Sequence, residues 1–272
     1  MKEQLHVITS NLRSMLAAVL LVSVAFAARG DTATGSYILS FGTNVYLWDF
    51  SGSYTDDFGN VPLEYTISMD PGGKLTGTGT GTFEDGADHL DFTVSLTGAT
   101  KTAGKVVRIS LNIKMVGSGQ VEGYNATFSA TAKENFELDP INLQLIGTAR
   151  GKATVAVVGL GKRSAAIPST DVEVAVPSGM TGTWDLTLDV STNKTAYSGD
   201  AAVQLSSGRS FPLLVKGSYA SKSDASKLVL KGTGLSSAIS LALSASVTNA
   251  QMTLHKLNGI ALGQTLKAPP AP

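Results

Sequence analysis

Apolar and polar residues alternate one by one along most of the chain. In residues 90–96, four apolar side chains fall on one face of an extended strand and three polar side chains fall on the other. The same parity recurs in residues 109–115, 184–190 and 239–247. No stretch after residue 28 repeats apolar residues at the spacing of an amphipathic helix. The pattern therefore predicts an all-β protein with almost no helix.

Turn-forming residues separate these strands at short intervals. Glycine, asparagine and aspartate tolerate positive φ angles, and proline presets the geometry of a turn. Connections this short favour neighbouring antiparallel strands, because a parallel pair needs a crossover of about a dozen residues. The sequence therefore predicts an antiparallel meander. Its main turns are predicted at residues 70–73, 84–86, 98–104, 117–119, 207–208 and 222–224.

An internal duplication organises this meander. Residues 48–83 match residues 184–219 in size and polarity at a constant offset of 136 residues. Two copies that pool their apolar faces predict a β-barrel or a β-sandwich, and two tandem small β domains are the alternative. The positions predicted to be structural are Trp48, Trp184, Gly81 and Gly217.

Past residue 83 the match resumes at an offset of 115, where Gly117-Ser118-Gly119 matches Gly232-Thr233-Gly234. The difference between the two offsets, 136 minus 115, leaves 21 extra residues in the first copy, at 84–104. One inserted strand would reverse every later strand of a meander. Either the second copy has one longer strand there, or the two copies are not topologically identical.

The chain divides into five predicted segments. Glycines at 159 and 161, with Pro168 and Pro177, indicate a linker or an exposed loop between the copies. Whether the copies share one core or form two domains stays open. The segments are a signal peptide at 1–27, a first β repeat at 28–158 with an inserted hairpin region at 84–104, a linker with a short strand at 159–181, a second β repeat at 182–266 and a disordered Pro-rich tail at 267–272.

The N-terminal segment has the features of a secretory signal peptide. Lys2 and Arg13 lie in a polar start, residues 15–25 are apolar, and Ala25-Phe26-Ala27 fits a cleavage site. A membrane anchor is the alternative, but a spanning helix needs about 20 apolar residues. We therefore expect cleavage after Ala27 and an exported protein that is periplasmic, at the cell surface or extracellular.

Composition narrows the function classes. The chain has 21 basic and 21 acidic residues, so no net field attracts nucleic acid, and we expect no nucleic-acid partner. Cysteine is absent, which excludes disulfides and thiol chemistry. Ser and Thr fill most polar positions, as expected for the exposed faces of sheets.

Candidate chemistry is sparse. After the expected cleavage only His89 and His255 remain, and neither lies in a metal-spaced cluster, so we expect no catalytic residues, no bound metal and no cofactor. His89 beside Asp88 and Asp91 could act as a base, but no nucleophile motif accompanies it. A calcium site is a weaker alternative to a plain acidic hairpin tip. Its candidate ligands are Glu84, Asp85, Asp88 and Asp91.

The glycine-rich run 77–81 lies inside an alternating strand with no helix behind it, so it predicts sheet curvature or close packing and not a phosphate loop. Gly182-Thr183-Trp184 at the start of a meander resembles the Gly-x-Trp start of lipocalin-type barrels. The resemblance covers three residues, and Tyr46-Leu47-Trp48 lacks the glycine. It implies that Trp48 and Trp184 plug a barrel or a sandwich.

Three function classes follow. The first is an exported, non-catalytic protein with a structural or binding role, whose ligand is a lipid or other apolar small molecule, or whose partner is a surface. The second is an outer-membrane β-barrel, although the Ala-Pro-Pro-Ala-Pro end and the few aromatic residues disfavour it. The third is a secreted hydrolase whose paired carboxylates come from distant strands.

Overall fold

The computed structural model of the protein describes residues 34–41, 46–58, 61–176, 182–220, 223–248 and 250–268. The predicted signal peptide and residues 269–272 of the predicted tail lie outside these ranges. The described residues contain no α-helix, and accordingly no helix long and apolar enough to cross a membrane. Strands dominate, so the all-β prediction is confirmed.

Sixteen strands and one 3₁₀ turn, at Gly234–Ser236, follow one another in the described residues. The strands are β1 (Gly35–Phe41), β2 (Gly52–Phe58), β3 (Val61–Met69), β4 (Lys74–Asp85), β5 (Asp88–Ala103), β6 (Val106–Val121), β7 (Tyr124–Asp139), β8 (Gln144–Val157), β9 (Gly161–Ala175), β10 (Trp184–Asn193), β11 (Ala196–Leu205), β12 (Ser210–Ala220), β13 (Ala225–Gly232), β14 (Ser240–Thr248), β15 (Gln251–Ala261) and β16 (Gln264–Ala268).

The strands form two antiparallel sheets of eight strands each. The long sheet has the order β2 to β9 and includes strands of up to 16 residues. The short sheet has the order β1, then β10 to β16, and its strands reach 11 residues. The described part of the chain therefore starts in the short sheet, forms the whole long sheet and returns to the short sheet. The predicted antiparallel barrel or sandwich is confirmed at this level, with one sheet curled into a half-barrel.

One apolar cluster fills the space between the sheets. It combines inward-facing residues of the long sheet, such as Leu75 and Leu96, with inward-facing residues of the short sheet, such as Leu186 and Leu241. A smaller cluster around Leu90, Phe92 and Ala126 covers the far end of the long sheet. Burial alternates residue by residue along the strands, as the period-two pattern predicts.

The duplication reappears as one copy in each sheet. Strands β3 and β4 correspond to β11 and β12 at the offset of 136 residues. The equivalence extends to the next strand, because Gly81 lies opposite Phe92 and Gly217 lies opposite Leu228, and both partners also differ by 136. Strand β5 is therefore the counterpart of β13, and not an insertion.

The prediction that residues 84–104 are extra is wrong for this reason. The two copies differ instead in strand length, since β5 has 16 residues and β13 has eight. The match at the offset of 115 pairs β6 with β13. Strand β6 lies one strand farther along its meander than β13 does. Neighbouring strands of an antiparallel meander alternate in direction, so β6 and β13 would run in opposite directions if the two copies were superimposed. The second offset does not describe structural equivalence.

The predicted turn at 117–119 is wrong, because these residues lie within β6 and the chain turns instead at Glu122-Gly123, both with positive φ. The predicted turn at 98–104 is correct only at its end, because Gly98 lies within β5 and the chain turns at Gly104, which has positive φ. Gly117 faces inward between Phe92 and Phe128, whose ring centroids are 4.9 Å apart. A Cβ atom at Gly117 would collide with the Phe92 ring, so this glycine serves packing and not turning.

The predicted linker at 159–181 is mostly a strand. Residues 161–175 form β9, which pairs with β8 along its length and forms one edge of the long sheet. Pro168 is tolerated there because the register shifts between Ala149 and Gly151, so that the proline lies in a bulge. Residues 177–181 lie outside the described ranges.

Buried polar contacts fasten the two sheets at the crossing segment before β2. The Gln264 side chain, only 2% exposed, accepts a hydrogen bond from the Trp48 amide at 2.9 Å and donates one to the Trp48 carbonyl at 2.6 Å. Nearby, Arg209 of the short sheet binds Asp49, which is 4% exposed, through both carboxylate oxygens at 2.8 Å. These contacts tie the sheets together at one end.

Candidate functional site

The outward face of the long sheet carries a compact group of basic side chains at its centre. Strand register places Lys114 on β6 opposite Thr131 on β7, and Thr131 opposite Lys152 on β8. In the adjacent row, Lys133 on β7 lies opposite Arg150 on β8. With strands about 4.8 Å apart and alternate residues about 7 Å apart, the four cations occupy roughly 10 by 7 Å of sheet.

These four residues reach the same face because each occupies an outward position of its strand. All four are exposed, while the residues that alternate with them, including Ile113, Ala132 and Ala149, are buried. Their side chains are long and border shorter hydroxyl and amide side chains, which leaves a groove of about 830 Å³. We call this feature the cationic groove. Its polar lining consists of Ser95, Thr97, Asn112, Lys114, Thr131, Lys133, Arg150, Lys152 and Ser169.

No carboxylate lies in the lining of the cationic groove. Within the described residues, none of its four cations forms a salt bridge. The same sheet does pair opposite charges elsewhere, since Arg108 and Glu137 meet across β6 and β7 at 2.7 Å. Like charges placed directly opposite each other, as Lys133 and Arg150 are, destabilise a sheet. The groove therefore maintains a local excess of positive charge at some cost in stability.

A second groove of about 690 Å³ lies on the same face, farther along β6, β7 and β8. Gln120, Asn125, Thr127 and Lys162 contribute to its lining, which also contains no carboxylate. Counting alternate residues from Asn112 to Gln120 along β6, the two grooves together extend over roughly 27 Å. Val116, which is 42% exposed, lies between the two grooves on β6. The outward face of the long sheet thus presents two neighbouring grooves that both contain positive charge and are separated by an aliphatic side chain.

The four acidic residues considered as an alternative calcium site do not all come together. Glu84 and Asp91 lie on the outward face near His89, whereas Asp85 and Asp88 form a pair on the alternate positions of the hairpin. Asp88 accepts a hydrogen bond from the Glu122 amide at 2.7 Å. In the described part of the chain, no three histidine, aspartate or glutamate residues are arranged to hold a metal ion. The alternation of faces within the hairpin explains the separation.

His89 is engaged by its carboxylate neighbours. Its Nε2 lies 3.2 Å from Asp91, and its Nδ1 lies 3.4 Å from Glu84. Hydrogen bonds from His89 and then from Thr82 lower the pKa of Asp91. The group is exposed on a hairpin end, and neither described groove includes it.

His255 forms a pair with a serine that sequence reasoning missed. Its Nε2 lies 3.0 Å from the Ser246 hydroxyl across β14 and β15, close enough for a nucleophile and its base. A hydrolytic triad also needs a third group that orients the imidazole. The hydrogen bonds among the described residues include none to the other nitrogen of His255, and both side chains are on the exposed face of the short sheet.

The four predicted structural residues are placed at the sheet junction or within strands. Trp48 and Trp184 are 3% and 2% exposed, and the Trp184 ring stacks on Phe41 with centroids 4.1 Å apart. Gly81 and Gly217 both face inward, opposite Phe92 and Leu228 respectively. None of the four contributes to either groove.

The cationic groove was not predicted from the sequence, although the sequence shows one of its cations at a polar position of a strand. Lys114 lies at a polar position of the alternating run 108–115. Its neighbours across the sheet depend on where the chain turns, and a turn at 117–119 would have placed it opposite residue 122. The true turn at Glu122-Gly123 places it opposite Thr131, beside Lys152.

Comparison of the chain with protein-family models, with curated proteins and with solved structures finds no match. The three-residue resemblance to lipocalin-type barrels is therefore not extended by any of them.

Proposed function

We propose that the protein is a non-catalytic binding protein whose recognition surface is the outward face of the long sheet, and that it binds an anionic ligand there. The observation that carries this proposal is the cationic groove, where four cations occupy neighbouring positions with no carboxylate in the lining. Such clustering raises the local potential even in a chain with no net charge. An anion bound between the cations relieves their mutual repulsion.

An apolar ligand between the sheets has less support. The inward faces form one continuous cluster in which Leu186, Val203 and Leu241 are fully buried. Both described grooves lie outside this core, on the polar face. The position of the grooves therefore favours a partner that contacts the surface of the long sheet over a ligand enclosed between the two sheets.

The sequence of the first 27 residues supports export as part of the same proposal. Mass spectrometry of the protein secreted or released from the expressing cell tests this element. A mature N-terminus at Ala28 is the expected result, and a full-length protein that retains Met1 inside the cell would contradict it.

Titration of the full chain with inorganic polyphosphate, followed by calorimetry at low and at high salt, tests the binding function. The test variant replaces the four groove cations by glutamine: Lys114→Gln, Lys133→Gln, Arg150→Gln and Lys152→Gln. The control replaces four exposed lysines of the short sheet, and it is made of Lys216→Gln, Lys227→Gln, Lys231→Gln and Lys256→Gln.

Both variants lose the same positive charge, so they separate a specific groove from a general charge effect. Exposed ion pairs contribute about 0.3–0.5 kcal/mol each, so loss of four predicts an affinity about tenfold lower for the groove variant. The control should bind like the unaltered protein. Equal losses in the two variants, or no binding by the unaltered protein at low salt, would reject the proposed function.

A further inference from the structure

We infer that the ligand is an acidic polysaccharide lying along the long sheet, over both grooves; this inference rests on the proposed function. Three properties of the face lead to this class. They are the sign of its charge, the chemistry of the side chains between the charges, and the combined length of the two grooves.

The side chains between the cations select for a ligand with hydroxyl groups. Within the cationic groove, Ser95, Thr97, Asn112 and Thr131 present groups that both donate and accept hydrogen bonds. A fully deprotonated inorganic anion such as sulfate can satisfy the cations but has no donors for these acceptors. A chain of sugars carrying carboxylate or sulfate groups offers both kinds of contact at once.

The absence of aromatic rings from the lining separates this class from single-stranded nucleic acids. Proteins that bind single-stranded nucleic acid stack bases on aromatic side chains. None of the residues that line the two grooves is aromatic. Besides small aliphatic side chains such as Ile167 and Val157, the lining offers ion pairs and hydrogen bonds, which suit a polyanion whose units are rich in hydroxyl groups and have no flat bases.

An acidic peptide is disfavoured by the position of the grooves. A peptide commonly binds a sheet by adding a strand to a free edge. The cations lie on β6, β7 and β8, whose backbone groups are already paired on both sides. At these central strands only side chains are available to a ligand.

The combined length of the two grooves predicts that several sugar units take part. Lys114 in the first groove and Gln120 in the second lie on the same strand and face the same way. Lys162, near the β8–β9 turn, supplies a fifth cation at the far end. A ligand long enough to reach from one groove to the other gains contacts that a short one cannot make.

The test measures binding of the full chain to heparin and polygalacturonate fragments of graded length at low salt. Inorganic phosphate, duplex DNA and vesicles of anionic phospholipid serve as comparison ligands. Affinity is expected to rise with fragment length until the fragment covers both grooves. The groove variant should lose about tenfold with long fragments, whereas the short-sheet control should not.

The outcomes distinguish the inference from the proposed function. If phosphate, DNA or vesicles bind more tightly than long fragments, or if fragment length has no effect, the polysaccharide inference is rejected while groove-dependent anion binding stands. If no anion binds, or if the groove variant and the control behave alike, both are rejected. A further variant, Lys162→Gln, should weaken only long fragments; a loss with short fragments as well would contradict the proposed orientation along the strands.

Discussion

The β3–β4 turn of the long sheet and the β11–β12 turn of the short sheet occupy the same place in the two copies, yet they dock on the opposite sheet by different means. In the short sheet, Arg209 reaches across to Asp49, to Ser51 and to the Met69 carbonyl, each at 2.8 Å. At the equivalent position, 136 residues earlier, the long sheet has Gly73.

Gly73 makes its contacts with backbone alone. Within its own sheet, its carbonyl accepts a hydrogen bond from the Thr100 amide of β5 at 2.7 Å, and across to the short sheet the neighbouring Pro71 carbonyl accepts one from the Leu262 amide at 2.9 Å. A Cβ atom at Gly73 would meet the Leu262 carbonyl oxygen at 2.6 Å, and its φ of 85° favours glycine. One copy therefore uses a long charged side chain where the other uses close backbone approach.

The outward faces diverge further. On the short sheet, Asp189 and Asp200 lie opposite each other on β10 and β11, and lysines follow on β12, β13 and β15, so the face carries both signs. The centre of the long sheet carries one sign only. The inward faces of both copies keep apolar side chains at matching parity. Shared packing thus fixes one face of each copy, and the other face is free to acquire a binding role.

Among the variants that test this comparison, Arg209→Ala is expected to lower the stability of the protein most. Removing the guanidinium leaves the nearly buried Asp49 carboxylate without its partner. Breaking a buried pair on one side typically costs several kcal/mol; because Arg209 itself is one-third exposed, we expect a loss of about 3 kcal/mol in the free energy of unfolding.

Denaturant unfolding of the single and double variants measures this loss. The double variant Asp49→Asn with Arg209→Met should recover part of it, because no charge is then left buried. A loss below about 1 kcal/mol for Arg209→Ala would show that this turn docks without its ion pair.

Gln264→Ala should have the next largest effect. The two tryptophans of the duplication differ in how their backbone is satisfied: Trp184 pairs with Phe41 and Leu205 within the short sheet, whereas Trp48 depends on the Gln264 amide. Removing that amide leaves a buried donor and acceptor unpaired, which costs about 2 kcal/mol. Thermal unfolding, with the exposed Gln251→Ala as control, should show a lower Tm for Gln264→Ala alone.

A smaller loss is expected for Gly217→Ala. A methyl group there would collide with the Lys227 carbonyl on β13 and come within 2.6 Å of the Leu228 side chain. Overpacking of this kind costs about 1–2 kcal/mol. Ser218→Ala, next to it on the exposed face, is the matched control. If the two variants unfold at the same denaturant concentration, close packing is not the reason for the glycine.

The fold was predictable at positions where a single property of the site, such as burial or a turn, decides which type of residue occurs there. Alternation identified the inward positions of strands such as β6 and β10, and the turns at Asp70–Gly73 and Ser207-Gly208 are where the sequence indicates them. Glycine was ambiguous because it has two uses. At Gly208 it permits a φ of 90°, but at Gly117 it makes room for aromatic rings on the neighbouring strands.

The cationic groove was not predictable from the same evidence. A site on the face of a sheet depends on register across several strands, and each misplaced turn shifts the register of the next pair. Strand β9 adds a second reason. Its glycines and Pro168 read as a linker, but an edge strand with a bulge accommodates proline because one side of it needs no hydrogen bonds.

The variant with the smallest expected effect on Tm tests the difference in charge between the two outward faces. Lys133 lies opposite Arg150, whereas Lys216 on the short sheet lies opposite Ser198 and Val229. Lys133→Gln removes a repulsion between like charges, so at low salt it should raise the Tm by about 1 °C. Lys216→Gln removes no such repulsion and should leave the Tm unchanged or slightly lower. Salt screens exposed charges, so the difference in Tm between the variants should vanish at high ionic strength.

A gain in Tm that persists in high salt would mean that Lys133 is strained by packing. No gain at low salt would mean that its charge is already balanced, and the cationic groove would then lose the electrostatic excess on which the proposed anion binding depends.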